Sequence, residues 1–182
     1  MKPFEPIENF IEGFGSLSRD VFVDRFENPF IVVNLPSAAA DSDDSTSTRH
    51  KKSTKRTVMS GEESEKSHLV TLVAEVTKAD QNAAGSLITV GRSEENDVPL
   101  GNPSISSHHA NFYLDPNTRV SSIEDVGSSY GTIVDGKSLP PGKILPLKSG
   151  TTIVFARTIQ CTFLYPKEFF DYIQALVRLR KG

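Results

Sequence analysis

Between residues 68 and 166 the sequence alternates short apolar runs with polar turn segments. The runs, such as "SLITVG", "HANFYL" and "TTIVFA", are rich in Val, Ile, Thr, Phe and Tyr. They recur roughly every 8–12 residues and are separated by clusters such as "DPNT" and "LPPG", which are typical turn sequences. β-Branched and aromatic residues favour strands. The pattern predicts an all-β fold, an antiparallel β sandwich over residues 68–166.

After residue 166 the apolar period changes. In "PKEFFDYIQALVRLRKG" the apolar residues recur at helical spacing, as at Phe169, Ile173 and Leu176. The spacing predicts a C-terminal amphipathic helix over residues 167–182, and Arg178 and Arg180 suit the negative end of its dipole. Such a helix either caps the sandwich or offers a basic amphipathic surface to a partner or a membrane.

The N-terminal 36 residues contain two further apolar runs. "VFVDRF" and "PFIVVNL" have the composition of two short strands, and "ENP" between them is a turn signal. Two strands alone are not stable in water. We therefore predict a largely disordered N-terminal extension over residues 1–36, unless these strands dock on the sandwich or bind a partner.

Residues 37–67 form a Ser/Thr-rich segment with few apolar residues. An acidic block, "DSDD", is followed by a basic one, "RHKKSTKR". Such a segment buries too little apolar surface to offset the entropy lost on ordering. The composition predicts a disordered linker between the N-terminal extension and the sandwich.

Composition narrows the class of protein. The net charge of −3 gives no general attraction to nucleic acid or to an anionic membrane. The single cysteine, Cys161, cannot form a disulfide within the chain, and we expect it to be buried as a small apolar residue. The sequence has neither a secretory signal nor an apolar run long enough for a membrane span. We therefore expect a cytoplasmic protein.

The polar stretch "GRSEENDVPLGNPSISSHHA" at 91–110 contains the residue types of several kinds of site. Ser106, His109 and Asp125 are the residue types of a catalytic triad, but no "GxSxG" elbow is present. His108 and His109 are adjacent, so on a strand they point to opposite faces and cannot easily share a metal ion. The stretch also lacks the second Gly and the Lys of a nucleotide-binding loop. We expect no enzyme activity, no metal and no cofactor.

The remaining interpretation of this polar stretch is that its loops bind an anion. Arg92 follows the apolar run "LITVG", where its guanidinium can offer paired charge-assisted hydrogen bonds to a phosphate. Ser106 and Ser107 precede "HANFYL", and Ser129 follows the run that ends in "IEDV". Short hydroxyl side chains lose little entropy on binding. Loops at one edge of a rigid sandwich commonly carry binding groups.

Four segments together resemble a forkhead-associated (FHA) domain, a phosphothreonine-peptide-binding β sandwich. They are "VGR" at 90–92, "NDVPL" at 96–100, "SISSHHANF" at 104–112 and "DVGSSYGTIVDG" at 125–136. Their order and spacing are similar to those of the family, and the resemblance covers roughly residues 68–166.

The resemblance implies a role for each matching residue. Arg92, Ser106 and Ser129 match the residues that contact the phosphate, and Ser107 matches a neighbouring polar contact. His109 matches a histidine that braces the binding loop. Gly91 and Gly131 match turn glycines. Ser104 and His108 flank the site and are candidate specificity contacts.

One position departs from the family pattern. Many members have Asn before the Gly-Thr pair, where it holds the peptide backbone, and this chain has Tyr130. Tyr130 is therefore included among the expected peptide-binding residues, with a changed grip on the peptide.

The resemblance implies a non-catalytic adaptor in Ser/Thr-kinase signalling, and we expect the protein to be a monomer. Its partner would be a phosphothreonine-containing protein, either a Ser/Thr kinase or a kinase substrate. The alternative is a scaffold that uses the same sandwich to bind unphosphorylated partners. The linker also presents four threonines beside basic residues, Thr46, Thr48, Thr54 and Thr57, as candidate phosphorylation sites whose capture by the domain would inhibit it.

Overall fold

A computed structural model of the chain describes residues 4–36, 69–79 and 86–181. These residues form twelve strands and three helices. The strands are β1 (Glu5–Pro6), β2 (Phe30–Pro36), β3 (Leu69–Glu75), β4 (Leu87–Gly91), β5 (Val98–Pro99), β6 (Ala110–Leu114), β7 (Ser121–Asp125), β8 (Thr132–Val134), β9 (Lys137–Leu139), β10 (Leu145–Pro146), β11 (Thr151–Phe155) and β12 (Ile159–Leu164). The helices are α1 (Ile7–Phe14), α2 (Arg19–Arg25) and α3 (Pro166–Lys181).

Two sheets pack face to face, so the predicted β sandwich is confirmed. The first sheet has seven strands in the order β1-β3-β2-β12-β11-β8-β9, and the second has five in the order β10-β7-β6-β4-β5. Neighbouring strands are antiparallel except β4 and β5, which form a short parallel pair. The main core lies between the sheets and includes the fully buried rings of Phe112, Phe155 and Phe163.

Cys161 lies in this core, as the sequence predicts. It is on β12, only 2% of its surface is exposed, and burial raises the pKa of its thiol to about 12. The side chain therefore behaves as a small apolar residue.

Of the two strands predicted in the N-terminal 36 residues, one is present and the other is not. "PFIVVNL" forms strand β2, which pairs with both β3 and β12. The interpretation of "VFVDRF" as a strand is wrong, because these residues lie in and just after α2, whose first turn is capped by the Ser18 hydroxyl. The segment forms a helix rather than a strand because the helix buries the Phe22 ring completely, while Val21 stays 53% exposed. The predicted extension is therefore corrected for residues 4–36, which form two helices and two strands.

The three helices cover the outer face of the first sheet around β2, β3 and β12 and enclose a second, aromatic core. Phe30 of β2 stacks on Phe169 of α3 at 4.2 Å between ring centroids, and Phe10 of α1 meets the same ring edge-on at 5.3 Å. The predicted C-terminal helix is confirmed, and its apolar side chains Phe169, Phe170 and Ile173 are buried in this core. None of the helices in the described residues is long and apolar enough to span a membrane.

The register of β2 with β3 fixes where the linker leaves the sheet. Pairing runs from Phe30 opposite Glu75 to Pro36 opposite Leu69. Residues 37–68, which include the predicted linker, lie outside the described residues. The two ends of the linker therefore lie next to each other, at the ends of two paired strands of the first sheet.

The aromatic core predicts that residues 4–36 unfold together with the sandwich. We expect Phe22→Ala to lower the free energy of unfolding by roughly 3–5 kcal/mol, because it empties a fully buried ring position. Val21→Ala on the same helix is the matched control and should change it by less than about 0.5 kcal/mol. Denaturant unfolding of both variants checks this. A Phe22→Ala protein whose main transition is unchanged would show that the helices are an independent appendage.

Candidate functional site

Three loops meet at one edge of the sandwich. The register pairs Val90 with Ala110, and Ala110 with Asp125, so the end of β4, the start of β6 and the end of β7 lie at the same level. Each of these strands continues into a loop that carries candidate site residues. The fold therefore brings the separate sequence motifs to one place.

The loop after β4 is held to the loop before β6 by backbone and side-chain hydrogen bonds. The Arg92 N–H donates to the Ser106 carbonyl at 2.9 Å, and the Ser93 N–H donates to the Ser107 carbonyl at 3.2 Å. The buried Asn96 side chain donates from Nδ2 to the Ser93 carbonyl at 2.8 Å and to the Ser107 carbonyl at 2.7 Å. Arg92 is thus anchored through its backbone while its side chain is exposed.

Gly91 allows these two loops to come together. A Cβ atom at this position would lie 2.3 Å from the Ser107 carbonyl oxygen and 2.9 Å from the His108 Cα. Backbone atoms cannot move aside cheaply, so any side chain would separate the loops. Gly131 is a turn glycine for a different reason, because its φ of 76° is unfavourable for residues with a side chain.

His109 joins the loop before β6 to the loop before β8. The Ser106 N–H donates to His109 Nδ1 at 3.3 Å, and Nε2 lies 3.3 Å from the Gly131 carbonyl. A backbone N–H can only donate, so Nδ1 is unprotonated and Nε2 carries the proton. The ring is fully buried, and this burial lowers the pKa of His109 although the Asp125 carboxylate at 3.9 Å and the Gly131 carbonyl raise it in part.

Asp125 organises the loop between β7 and β8. Its carboxylate accepts four hydrogen bonds of 2.7–2.9 Å, from the Gly127 N–H, from the N–H and hydroxyl of Ser128, and from the Thr132 hydroxyl. Burial alone would raise the pKa of Asp125, but these donors lower it below its usual value. The charged carboxylate thereby fixes the loop that presents Ser129.

The predicted phosphate-contacting residues lie side by side on this frame. Arg92 Nη2 donates to Ser107 Oγ at 3.3 Å. The Ser129 N–H donates to Ser106 Oγ at 3.0 Å, and the two hydroxyl oxygens are 3.5 Å apart. A guanidinium, hydroxyls and exposed loop backbone make a surface rich in hydrogen-bond donors, which suits an anion.

The three candidates that flank the phosphate-contacting residues, Tyr130, His108 and Ser104, have different surroundings. Tyr130 is 62% exposed beside Ser129. His108 Nε2 lies 2.6 Å from Oδ1 of Asn111, and the Ser104 N–H donates to the Asn102 side chain at 2.9 Å. His108 is therefore engaged with a residue on β6, and Ser104 with its own turn.

The arrangement of Ser106 and His109 differs from that of a serine and a histidine in a catalytic triad. In a triad the serine hydroxyl bonds the imidazole, whereas here the backbone N–H of Ser106 does so and its hydroxyl faces Ser129. In the part of the chain that the structure describes, no group of three or more His, Cys, Asp or Glu side chains is placed to hold a metal ion.

Two residues important for the geometry were missed as such from the sequence. From the sequence, Asp125 is only one residue type of a possible triad and part of a matching segment, and Asn96 is only part of a matching segment. A usable signal is present for Asp125, since an Asp followed closely by Gly and Ser is typical of turns in which the side chain accepts hydrogen bonds from nearby N–H groups.

Comparison with known proteins now identifies the domain. The family model described as "FHA domain" matches residues 88–156. The chain carries an FHA domain. A curated relative, the DNA damage response protein kinase DUN1 of Saccharomyces cerevisiae, is 33% identical over 103 residues, which cover 54% of this chain and 20% of that protein. The chain thus matches about a fifth of the length of that kinase.

Two solved FHA domains are similar to the chain. The yeast Dun1 FHA domain, solved with a doubly phosphorylated peptide, is 24% identical with a TM-score of 0.48, covering 78% of this chain and 77% of that one. The FHA domain of the Chlamydia trachomatis protein CT664 is 18% identical with a TM-score of 0.47, covering 75% of this chain and 96% of that one.

The buried His109 predicts a pH dependence of stability. Its pKa is lowered in the folded protein relative to about 6.5 in the unfolded chain, so the unfolded state binds the proton more readily. Stability from this residue is complete above about pH 6.5 and is lost as the pH falls towards the lower, folded pKa.

We expect His109→Gln to reduce the loss of stability on acidification. Denaturant unfolding of both proteins between about pH 5 and pH 8 measures it, because carboxylates common to the two proteins cancel in the difference. Parallel stability curves for the two proteins would contradict a neutral, buried His109.

Proposed function

We propose that this chain is a non-catalytic adaptor in Ser/Thr-kinase signalling that binds phosphothreonine peptides. The observation that carries the proposal is the junction of Arg92, Ser106 and Ser129 at one edge of an FHA domain. FHA domains as a class recognise phosphorylated motifs. The partner is a phosphothreonine-containing protein, either a kinase or a kinase substrate.

Each residue of the site has a distinct part in this proposal. The Arg92 guanidinium pairs with the phosphate, while Ser106 and Ser129 donate hydrogen bonds from their hydroxyl groups. Ser107 orients Arg92 through the 3.3 Å hydrogen bond and reaches the ligand beside it. Tyr130 contacts the peptide with its exposed ring. His109, Gly91 and Gly131 hold the loops in position and do not touch the ligand.

The competing function is a scaffold that binds its partners without phosphate. The exposed Tyr130 ring, in the position where many family members have Asn, is the feature that favours it. A scaffold of this kind would not depend on Arg92, so the same experiment separates the two functions. The monomeric state and the cytoplasmic location stay predictions from the sequence.

We expect Arg92→Ala to weaken phosphopeptide binding by at least about 10–100-fold while the protein stays folded, because each charge-assisted hydrogen bond to the phosphate contributes roughly 1.5–3 kcal/mol. Calorimetric titration with a phosphothreonine peptide selected from a library measures the change. Arg119→Ala is the control, since Arg119 is exposed beyond β6, at the opposite end of the sandwich. Equal affinity of wild type and Arg92→Ala, or equal binding of the unphosphorylated peptide, would favour the scaffold.

We further propose that the linker regulates this site. The candidate phosphorylation sites Thr46, Thr48, Thr54 and Thr57 lie outside the described residues, but both points where the linker leaves the sheet are described. By register, Leu35 and Val70 stand at the level of Thr132, the residue after Gly131. The linker therefore begins and ends at the same edge of the sandwich as the site.

The spans are short enough for intramolecular binding. Strands β12 and β11 separate β2 from β8, so the sideways distance is about 14 Å at about 4.8 Å per strand. Thr46 follows Pro36 by ten residues and Thr57 precedes Leu69 by twelve, and ten extended residues span up to about 33 Å. A phosphothreonine tethered in this way reaches an effective concentration in roughly the millimolar range.

The expected outcome is self-inhibition after phosphorylation of at least one linker threonine. Four proteins, each with phosphothreonine genetically encoded at one of the four positions, are titrated with an external phosphothreonine peptide. We expect at least one to bind it more weakly than the unmodified chain, because its own phosphate occupies the site. If all four proteins bind the external peptide with the affinity of the unmodified chain, self-inhibition is ruled out.

A further inference from the structure

The end of the sandwich opposite the phosphate-contacting residues contains a large cavity. It lies where β3 and β6 end and where β4 and β7 begin, whereas the candidate site lies at the other ends of these strands. Its volume is about 840 Å³, within the range of roughly 300–1,000 Å³ that is usual for ligand sites. The cavity is therefore large enough for a side chain together with a short stretch of its backbone.

The walls of this cavity come from both sheets and from the helical layer. They include the turn before β2, the end of β3, the start of β4, the turn between β6 and β7, and the junction of β12 with α3. Hydrogen bonds join these segments, since the Val76 N–H donates to the Pro29 carbonyl at 2.8 Å and the Ser121 N–H donates to the Tyr165 hydroxyl at 3.0 Å. Two aromatic side chains, Phe26 and Tyr165, are part of the lining.

The exposed charges of the cavity cancel one another. Four exposed charged residues line it, the acidic Glu27 and Asp115 and the basic Arg119 and Lys167. Asp115 is also engaged in its own turn, where its carboxylate accepts a hydrogen bond from the Asn117 N–H at 2.8 Å. Equal numbers of opposite charges give no net attraction for a ligand of either sign. The less exposed charged groups therefore decide which ligand the cavity attracts.

One half-buried carboxylate in the lining has no compensating charge. The Lys78 ammonium pairs with Asp97 at 3.0 Å. Glu75 accepts a hydrogen bond from Asn28 Nδ2 at 2.9 Å, and among the described residues it takes part in no salt bridge. Burial raises the pKa of Glu75, and the hydrogen bond from Asn28 offsets this only in part. A positive charge brought into the cavity would therefore stabilise this carboxylate.

We propose that this cavity binds an arginine side chain of a partner protein. The guanidinium group supplies the missing positive charge and offers paired N–H donors to the Glu75 carboxylate. It is also planar and more weakly hydrated than an ammonium group, and it stacks on aromatic rings such as those of Phe26 and Tyr165. Because the cavity lies at the far end of the sandwich from Arg92, it stays open when a phosphorylated ligand is bound. The inference does not rest on the proposed function.

The experiment titrates the isotopically labelled full-length chain with capped Gly-X-Gly peptides in which X is Arg, Lys or Gln. We expect the Arg peptide to shift the backbone amide signals of Asn28, Glu75 and Thr77 saturably, with a Kd on the order of millimolar. The amide signals of Ser106 and Ser129 should not move. The Lys peptide should bind at least about threefold more weakly, and the Gln peptide should give no saturable shift.

Two variants that remove the same charge identify the residue responsible. Glu75→Gln keeps an acceptor for Asn28 but removes the carboxylate, so it should weaken binding of the Arg peptide by at least about fivefold. Glu94→Gln is the matched control, because Glu94 is an exposed glutamate in the loop after β4, at the opposite end of the sandwich. This variant should bind the Arg peptide as wild type does.

Several outcomes would overturn the proposal. They are the absence of saturable shifts around Glu75 in the wild-type protein, equal affinities for the Arg, Lys and Gln peptides, and unchanged affinity of Glu75→Gln for the Arg peptide. Free arginine is titrated as a further arm, and tighter binding of it than of the Arg peptide would assign the cavity to a small molecule instead of a protein partner. The shifts in the wild-type protein test the location of the site even if Glu75→Gln does not fold.

Discussion

A neutral imidazole, fully buried between the two sheets, sets the geometry of the binding edge. The ring of His109 accepts a hydrogen bond from the Ser106 backbone on one side and donates to the Gly131 carbonyl on the other. The ring is fully buried, and Phe155 packs against it in a T-shaped arrangement at 5.6 Å between ring centroids. Because one rigid ring is hydrogen-bonded to both loops, the dimensions of the ring set the distance between the loops. Asp125 completes the frame from the next strand by satisfying the N–H groups of the loop after β7.

Strand β2 of the seven-stranded sheet is buried on both faces, and this explains the N-terminal segment. The inner face packs on the second sheet, while the outer face is covered by the three helices. Strand β2 lies in the middle, so Phe30 and Val32 face the helices while Ile31 and Val33 face the main core. Residues 4–36 thus provide a central strand and much of the aromatic core, although residues 37–68 separate them from β3 in sequence.

One edge of the sandwich collects features from distant parts of the chain. Arg92 follows β4 of the second sheet, Gly131 precedes β8 of the first, and the linker ends at Pro36 and Leu69 lie at the same level. The edge exposes positive charge and hydroxyl groups, whereas the carboxylate of Asp125 is buried below and fully hydrogen-bonded. The buried acid orients donors without presenting its charge to a ligand.

Local pattern alone determined the sandwich, the C-terminal helix and the order of the binding motifs. The sandwich follows from short β-branched and aromatic runs separated by turn sequences, as in β6 and β11, and the helical period of α3 extends over sixteen residues. The candidate residues could be named because Arg, Ser and Gly occur at family spacing, but their roles needed the resemblance.

Tertiary structure decided the rest. "VFVDRF" has strand composition, yet it contributes to a short helix because only that conformation seats Phe22 against α3 and the sheet, and propensity is weaker than such burial. "FIVV" is apolar throughout because β2 is buried on both faces, which cannot be recognised before the helices are placed. The hydrogen bond from the Ala156 N–H to the Gly131 carbonyl depends on the pairing of β11 with β8, a contact between residues far apart in the chain that no local pattern encodes.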